Sequence, residues 1–221
     1  TSYKFNPTFL PFSVHFRKLK CLMVGDAGVG KRTLLASLAA MDYTPATSSK
    51  YQVNVMVHKR VLSYQVDILS DIDQLDKLPD GYDLVMLCFS TADRASFKNI
   101  PTWYERSKAK LRQTSTIPPE DLQWLERKAL WQDLATKTVL VGTHLDVALE
   151  KGVKQELLVS FREADRLAAT LEAHLYLECS SKKLTGLAAL FVSVSGLFTP
   201  LEGYETAVVK NPNPPYQPPT K

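Results

Sequence analysis

A glycine-rich segment near the start of the chain has the residue types that bind phosphate groups. It begins at Gly25, and the spacing G-x-x-x-x-G-K is completed at Lys31. An apolar run typical of a strand precedes it, and a helical run follows. In that setting glycines let backbone N–H groups turn toward a phosphate, lysine neutralises charge, and the helix N-terminus adds its dipole. The residues expected to bind phosphate are Gly25, Ala27, Gly28, Val29, Gly30, Lys31, Arg32 and Thr33.

The motif departs from its usual form at the last position, where a Ser or Thr hydroxyl normally binds Mg²⁺. Arg32 occupies that position, and Thr33 comes one residue later. One residue on a helix corresponds to a rotation of about 100°. We therefore expect Thr33 not to reach the usual metal position, so that Mg²⁺ binding is in doubt.

The apolar pattern alternates between strands and helices. The predicted strands cover residues 18–24, 51–57, 61–67, 83–90, 138–142 and 174–178, and the predicted helices cover residues 31–40, 95–111, 154–171 and 185–198. A short polar turn at residues 58–60 predicts a hairpin between the second and third strands. The alternation predicts a doubly wound α/β sheet with helices on both faces, which binds ligands at the carboxyl ends of its strands.

Length and composition are typical of one ordinary globular domain. The chain has 221 residues, 45% hydrophobic and 23% charged, with a formal net charge of +4. That charge is too small to predict nucleic-acid binding, and no apolar run is long enough to span a membrane. Three widely spaced cysteines in apolar runs predict buried, reduced thiols in an intracellular, cytoplasmic protein. No cysteine lies near the C-terminus, so we expect no lipid anchor by prenylation.

Several stretches together resemble the Ras superfamily of small GTPases, and its Rho family in particular. They cover residues 25–35, 43–57, 81–90, 95–100, 103–104, 140–146 and 176–181. The resemblance extends over residues 18–198 and implies a P-loop NTPase fold, with a six-stranded, mostly parallel sheet that has one antiparallel strand. Residues 1–17 are then an N-terminal extension, residues 199–221 a proline-rich tail, and residues 113–135 an insertion. That insertion has helical spacing and either packs on the domain or binds a partner.

The resemblance also implies a guanine site. Thr143-His144-Leu-Asp146 is similar to the family's guanine motif, in which the aspartate accepts the N1 and N2 hydrogens of the base. His144 replaces the lysine whose stem covers the base. The segment Ser180-Ser181-Lys182 is similar to the last base-contacting motif. The implied ligands are GTP and GDP.

Other positions of the family differ in this chain. The family's Asp-Thr-Ala-Gly-Gln aligns with residues 67–71, so that Asp67 keeps the metal position and Asp71 replaces the glutamine that orients water. The threonine that closes on Mg²⁺ falls on Ala46, with Thr47 one residue out of register. Phosphoryl transfer depends on the metal and on the positioned water, so we expect very weak GTP hydrolysis or none.

Three functions remain open at this stage. The first is a degenerate Rho-like domain that binds guanine nucleotide and acts as a protein-interaction module in signalling or assembly. The second is an active, cycling GTPase that uses Thr33, Thr47 and Asp71. The third is a nucleotide-free pseudoGTPase scaffold. Arg32 either replaces part of the Mg²⁺ charge or pairs with Asp67 and blocks the nucleotide.

Overall fold

A computed structural model describes residues 15–40, 50–57, 60–111, 136–150 and 154–198. Within these ranges the strands are β1 His15–Val24, β2 Lys50–Val57, β3 Arg60–Ile68, β4 Leu84–Ser90, β5 Lys137–Thr143 and β6 Leu175–Glu178. The helices are α1 Lys31–Ala40, α2 Arg94–Lys98, α3 Ile100–Lys108, α4 Leu145–Ala148, α5 Phe161–Thr170 and α6 Leu187–Gly196. Two 3₁₀ helices cover Ile72–Lys77 and Gln155–Leu157.

The described strands form one sheet in the order β2-β3-β1-β4-β5-β6. Only β2 runs antiparallel, in the predicted hairpin with β3, and the other pairs are parallel. This confirms the predicted six-stranded sheet. After β1 the chain adds β2 and β3 on one side of it and then β4 on the other side. The direction of winding therefore changes at the carboxyl end of β1. Ligands of open α/β sheets bind at such a point.

Alternate residues of the central strands enter two separate hydrophobic cores. Helices α1 and α6 cover one face through side chains such as Leu34 and Phe191. Helices α3 and α5 cover the other face, where Trp103 and Ala168 are buried. Because helices shield both faces, β4 and β5 are buried at every residue. Their continuous apolar runs are the pattern expected of central parallel strands.

The predicted state of the cysteines is confirmed. Cys21, Cys88 and Cys179 are buried and free of disulfides. Burial raises the pKa of each thiol, that of Cys88 to about 12. The thiols therefore stay protonated and pack as small apolar groups.

Three element boundaries differ from the sequence prediction. Strand β1 begins at His15 and is paired with β3 from there, so three residues assigned to the extension belong to the sheet. The helix predicted over residues 95–111 is divided at Asn99, because Pro101 in the first turn of α3 cannot continue the preceding hydrogen-bond ladder. The helix predicted from residue 154 begins instead after Ser160, whose side chain and Glu163 form a reciprocal cap.

Some predictions concern residues outside the described ranges. These are the extension up to residue 14, Ala46 and Thr47, the insertion at residues 113–135, and the tail at residues 199–221. Within the described ranges, no helix has both the length and the apolar character needed to cross a membrane.

Candidate functional site

The glycine-rich loop follows β1 at the winding change of the sheet. Gly25, Gly28 and Gly30 have φ values of 145°, 81° and 85°, which L side chains rarely adopt. At Gly25 a Cβ atom would lie 2.0 Å from the carbonyl oxygen of Cys88 on β4. The first glycine is therefore required by the close approach of the neighbouring strand as well as by its backbone conformation.

Lys31, the first residue of α1, lies across this loop. Its Nζ donates hydrogen bonds of 2.7 Å to the carbonyl oxygens of Gly25 and Asp26. The residue is only 3% exposed, and desolvation lowers the pKa of Lys31 to about 8. The hydrogen bonds that Lys31 Nζ donates both go to neutral carbonyl oxygens. A buried ammonium held in this way can still pair with an anion.

Asp26 ties the loop to the helical layer, a contact that sequence reasoning missed. Its Oδ2 accepts a hydrogen bond of 2.7 Å from Asn99 Nδ2, and its Oδ1 accepts one of 2.8 Å from Trp103 Nε1. Asn99 and Trp103 belong to stretches that carry the family resemblance. The signal was thus present, but a sequence does not state which residues meet across more than 70 positions.

The centre of the loop is held by Thr143 at the end of β5. Its Oγ1 lies 2.6 Å from the carbonyl oxygen of Val29 and 2.9 Å from that of Phe89. Both Thr143 and Val29 are buried. This threonine, predicted to belong to the base site, therefore joins the phosphate loop to the strands β4 and β5.

The exposed part of the loop is free to meet a ligand. Ala27 and Gly28 are exposed, and Thr33 is half-buried on α1. Arg32 is exposed and makes no hydrogen bond or ion pair within the described part of the chain. Within the described ranges, the arginine that replaces the usual Ser or Thr is thus a cation without an ion-pair partner beside Lys31.

The pair between Arg32 and Asp67, one of the two arrangements considered for Arg32, is not formed in the structure. Asp67 is half-buried within β3, opposite Leu22 of β1, and its Oδ2 accepts a hydrogen bond of 2.9 Å from Tyr82 Oη. Burial and this hydrogen bond raise the pKa of Tyr82, so its hydroxyl keeps its proton and donates. Asp67 already has a partner in the protein.

The register of β3 also corrects the assignment of Asp67 to the metal position. Ile68 pairs with Met23, and Leu69 N donates to Met23 O at 3.0 Å. Ser70 lies two residues after Ile68, and Gly25 lies two residues after Met23. The residue level with the start of the phosphate loop is therefore Ser70, because Asp67 lies three positions earlier on the strand.

Asp71, predicted at the water-orienting position, is the cap of a 3₁₀ helix. Its Oδ1 accepts a hydrogen bond of 3.0 Å from Asp73 N, and its Oδ2 accepts one of 2.8 Å from Gln74 Nε2. The side chain is exposed, and both of its oxygens are used in local structure. A capping carboxylate of this kind stabilises the turn.

The predicted guanine residues come together at the carboxyl ends of β5 and β6. Oδ1 of the half-buried Asp146 accepts a hydrogen bond of 2.5 Å from Oγ of the buried Ser180. The backbone supports this contact, because Leu145 N donates to Cys179 O at 3.2 Å. This contact orients the carboxylate, and no described residue donates a hydrogen bond to its Oδ2.

His144 connects the base side of the site to the phosphate side. Its backbone is left-handed, with φ of 56°, and its Nδ1 lies 3.0 Å from Ser90 Oγ. Its Nε2 lies 3.1 Å from the point where a Cβ atom would stand on Gly30. The imidazole therefore packs against the phosphate loop, as a residue that covers the base would.

The last predicted base-contacting residues lie farther out. Ser181 is half-buried, and its carbonyl oxygen accepts from Leu184 N at 3.3 Å. Lys182 is exposed, and its Nζ lies 3.7 Å from Glu150 Oε1. Exposed pairs of this length contribute little to stability.

The described residues at the phosphate loop do not form a set of ligands that fits Mg²⁺. Among the residues that the structure describes, no three His, Cys, Asp or Glu side chains form a group that could hold a metal. The two positions at the phosphate loop where the family supplies oxygen ligands carry a guanidinium, Arg32, and a neutral hydroxyl, Ser70. Mg²⁺ prefers carboxylates and other oxygens in octahedral geometry, and a guanidinium repels it.

The glycine loop, the buried lysine and the sheet define a P-loop NTPase fold. The Ras family model matches residues 20–118, a little under half of the chain. This match, with the sheet order and the guanine motif beyond it, supports a small GTPase of the Ras superfamily. Proteins of this family generally bind GTP or GDP with Mg²⁺.

Proposed function

We propose that this chain is an atypical, Rho-like small GTPase domain that binds guanine nucleotide in the cytoplasm and hydrolyses GTP very weakly or not at all. In this proposal it acts as a protein-interaction module in signalling or assembly rather than as a cycling switch. The observation that carries the proposal is the contrast between the two halves of the site. The base and β-phosphate half has its side chains assembled, whereas the metal and water half does not.

The binding half is supported by three contacts between distant parts of the chain. Lys31 is buried in the loop, Thr143 holds the loop from β5, and Ser180 orients Asp146. A carboxylate fixed in this way accepts both the N1 and the N2 hydrogen of guanine. A site built to hydrogen-bond these hydrogens discriminates strongly against a base that lacks them.

Weak hydrolysis is supported by the side chains at the 3₁₀ helix that follows β3. If Ser70 takes the place of the family's aspartate, the five-residue motif ends at Gln74 rather than at Asp71. The amide of Gln74 then donates to Asp71, and an exposed carboxylate, Asp73, takes the glycine position. A bound glutamine and a carboxylate near the γ-phosphate both oppose the water positioning and charge neutralisation that phosphoryl transfer needs.

Base recognition is tested by comparing GDP, IDP and ADP, because IDP lacks only the 2-amino group. For the wild-type chain we expect GDP to bind about tenfold more tightly than IDP, and ADP to bind far more weakly. In Asp146→Ala the GDP and IDP affinities converge, since the acceptor of the 2-amino group is lost. The exposed Asp165→Ala on α5 is the matched control and keeps the wild-type ranking.

The alternative functions give different outcomes in two measurements. Nucleotide released from the purified chain by denaturation identifies a binding protein, and its absence together with failed GDP titration favours a nucleotide-free scaffold. Single-turnover hydrolysis at the rate of an ordinary family member favours an active, cycling GTPase. Our proposal expects bound guanine nucleotide and GTP that stays intact over many hours.

The interaction role rests on chain beyond the ordinary domain, at residues 113–135 and 199–221. A module that does not cycle should bind its partner in either nucleotide state. We expect a captured partner to be retained equally by GDP-loaded and by GTP-loaded chain. Retention in only one state would favour a switch.

A further inference from the structure

The phosphate loop of this chain concentrates positive charge, and no side chain in the described ranges forms an ion pair with it. The ammonium of Lys31 and the guanidinium of Arg32 are adjacent at the N-terminus of α1, where the helix dipole is also positive. The first turn of α1 contains no acidic residue. Burial is the main cause of the lowered pKa of Lys31; the charge of Asp26 opposes this shift, and the charge of Arg32 adds to it.

The acidic groups near this cluster are already engaged. Asp26 uses both carboxylate oxygens to bind Asn99 and Trp103. Asp67, three positions before the level of the loop, is bound by Tyr82. Ser70, level with Gly25, brings no charge. Neither carboxylate forms an ion pair with Lys31 or Arg32, so an anionic ligand is the partner that fits the two cations.

A divalent metal would make this imbalance worse. Arg32 occupies the motif position that offers a Ser or Thr hydroxyl to Mg²⁺ in the usual P-loop, so a guanidinium replaces an oxygen ligand there. A guanidinium can instead donate two parallel hydrogen bonds to phosphate oxygens, which supplies both charge and orientation. Metal-free GDP or GTP carries the charge that this site lacks.

We propose that the chain binds guanine nucleotide without Mg²⁺, and that the guanidinium of Arg32 pairs with the phosphate oxygens in place of the ion. This inference rests on the proposed nucleotide binding and adds to it the form of the ligand, the metal-free nucleotide. Lys31 and the loop amides hold the β-phosphate, and Arg32 takes the outer oxygens. Magnesium then has little effect on the affinity or competes weakly by binding free nucleotide.

The test is calorimetric titration of GDP and GTP into the full chain, in EDTA and in Mg²⁺. We expect Mg²⁺ not to tighten the binding of either nucleotide to the wild-type chain and at most to weaken it, because the ion binds free nucleotide. In EDTA, Arg32→Ser weakens binding by about tenfold or more, and Arg32→Lys by less, because lysine keeps the charge but not the fork. Arg162→Ser removes an exposed charge on α5 as the matched control and leaves the affinity unchanged.

A double variant tests the same assignment by gain of function. Arg32→Ser with Ser70→Asp supplies a hydroxyl and a carboxylate at the two positions, and we expect Mg²⁺ to raise its GDP affinity by about tenfold. Far-UV circular dichroism checks that each variant is folded. A double variant that is folded and indifferent to Mg²⁺ would contradict the roles given to these positions.

The outcomes separate this inference from the function on which it rests. If wild-type chain binds GDP at least about tenfold more tightly with Mg²⁺, the metal-free site is overturned and nucleotide binding stands. If Arg32→Ser binds as tightly as wild type in EDTA, the role of Arg32 is overturned. If neither nucleotide binds in either buffer, the proposed function itself fails.

Discussion

The indole Nε1 of Trp103 donates a hydrogen bond of 2.8 Å to Oδ1 of Asp26, which joins helix α3 to the phosphate loop. The two residues are 77 positions apart in the chain. Asp26 also offers its carbonyl oxygen to Lys31, so one residue links the helical layer to the buried ammonium. The conformation of the loop is thus supported from outside the nucleotide site, and substitutions on α3 should change nucleotide release.

Replacing Trp103 by phenylalanine removes this donor and keeps an aromatic ring in the core. Asp26 is then held by Asn99 alone, and a hydrogen bond to a charged group contributes about 1.5–3 kcal/mol. We expect bound GDP to dissociate about tenfold faster, as measured by displacement of a fluorescent analogue. The control is Trp124→Phe in the insertion, and equal rates for wild type and Trp103→Phe would contradict the link.

Alanine substitutions at Gly25 and Gly28 should differ sharply in their cost. At Gly28 nothing lies within 4 Å of an added Cβ, so only the left-handed backbone opposes alanine, at about 1–2 kcal/mol. At Gly25 the same atom would overlap the carbonyl oxygen of Cys88 on a buried strand, so the strand itself must shift. Urea unfolding should give a small loss for Gly28→Ala and a loss several times larger for Gly25→Ala.

Nucleotide binding should take up a proton near about pH 8–9, because the pKa of Lys31 in the free chain is lowered to about 8 by burial. Phosphate favours the ammonium and raises this pKa in the complex. The affinity for GDP should therefore fall as the pH rises through 8. Calorimetry in two buffers of different ionisation enthalpy measures the uptake, and identical apparent enthalpies at this pH would exclude it.

The charge of Glu163 should stabilise the folded chain at neutral pH, and this stabilisation should be lost in strong acid. The guanidinium of Arg94, with the hydroxyl and backbone of Ser160, lowers the pKa of Glu163 from 4.5 to about 2. The folded carboxylate binds a proton less readily than the unfolded one, so its stabilisation is present above about pH 4.5 and is lost as the pH falls through 2.

The variant Glu163→Gln should therefore unfold at lower urea concentration than wild type at about pH 7, and the difference should shrink as the pH falls from 4.5 toward 2. The exposed Glu105→Gln on α3 serves as the control, with midpoints close to wild type throughout. A difference that persists unchanged into strong acid would show that the side chain acts through packing rather than through its charge.

The sequence by itself determined the elements that local patterns encode. A glycine loop followed by helical spacing predicted helix α1, and the structure confirms it over Lys31–Ala40. The hairpin of β2 and β3 and the buried strands β4 and β5 are confirmed as well, because their apolar runs and the turn between them are contiguous in the chain. The glycine spacing around Lys31 was likewise enough to indicate the phosphate loop.

Only the tertiary structure decided which carboxylates face the loop. Asp67 and Asp71 both lie near the end of a strand, and a sequence pattern does not state the level at which that strand meets its neighbour. The pairing of β1 with β3 places Asp67 opposite Leu22, where Tyr82 binds it, and leaves Ser70 level with Gly25. Side chains reverse faces at each residue of a strand, so an offset of three residues changes both the depth and the face of a functional group.

The fold also decided two contacts of the site: Asp26 with Trp103, and His144 with Gly30. Each joins residues far apart in the chain that meet where the loops after β1 and β5 and helix α3 converge. Residue types indicated that a nucleotide site was present, because glycine, lysine and aspartate have distinct chemistry. Which cation lacks a partner depends on the geometry of every neighbour, and that is a property of the folded chain alone.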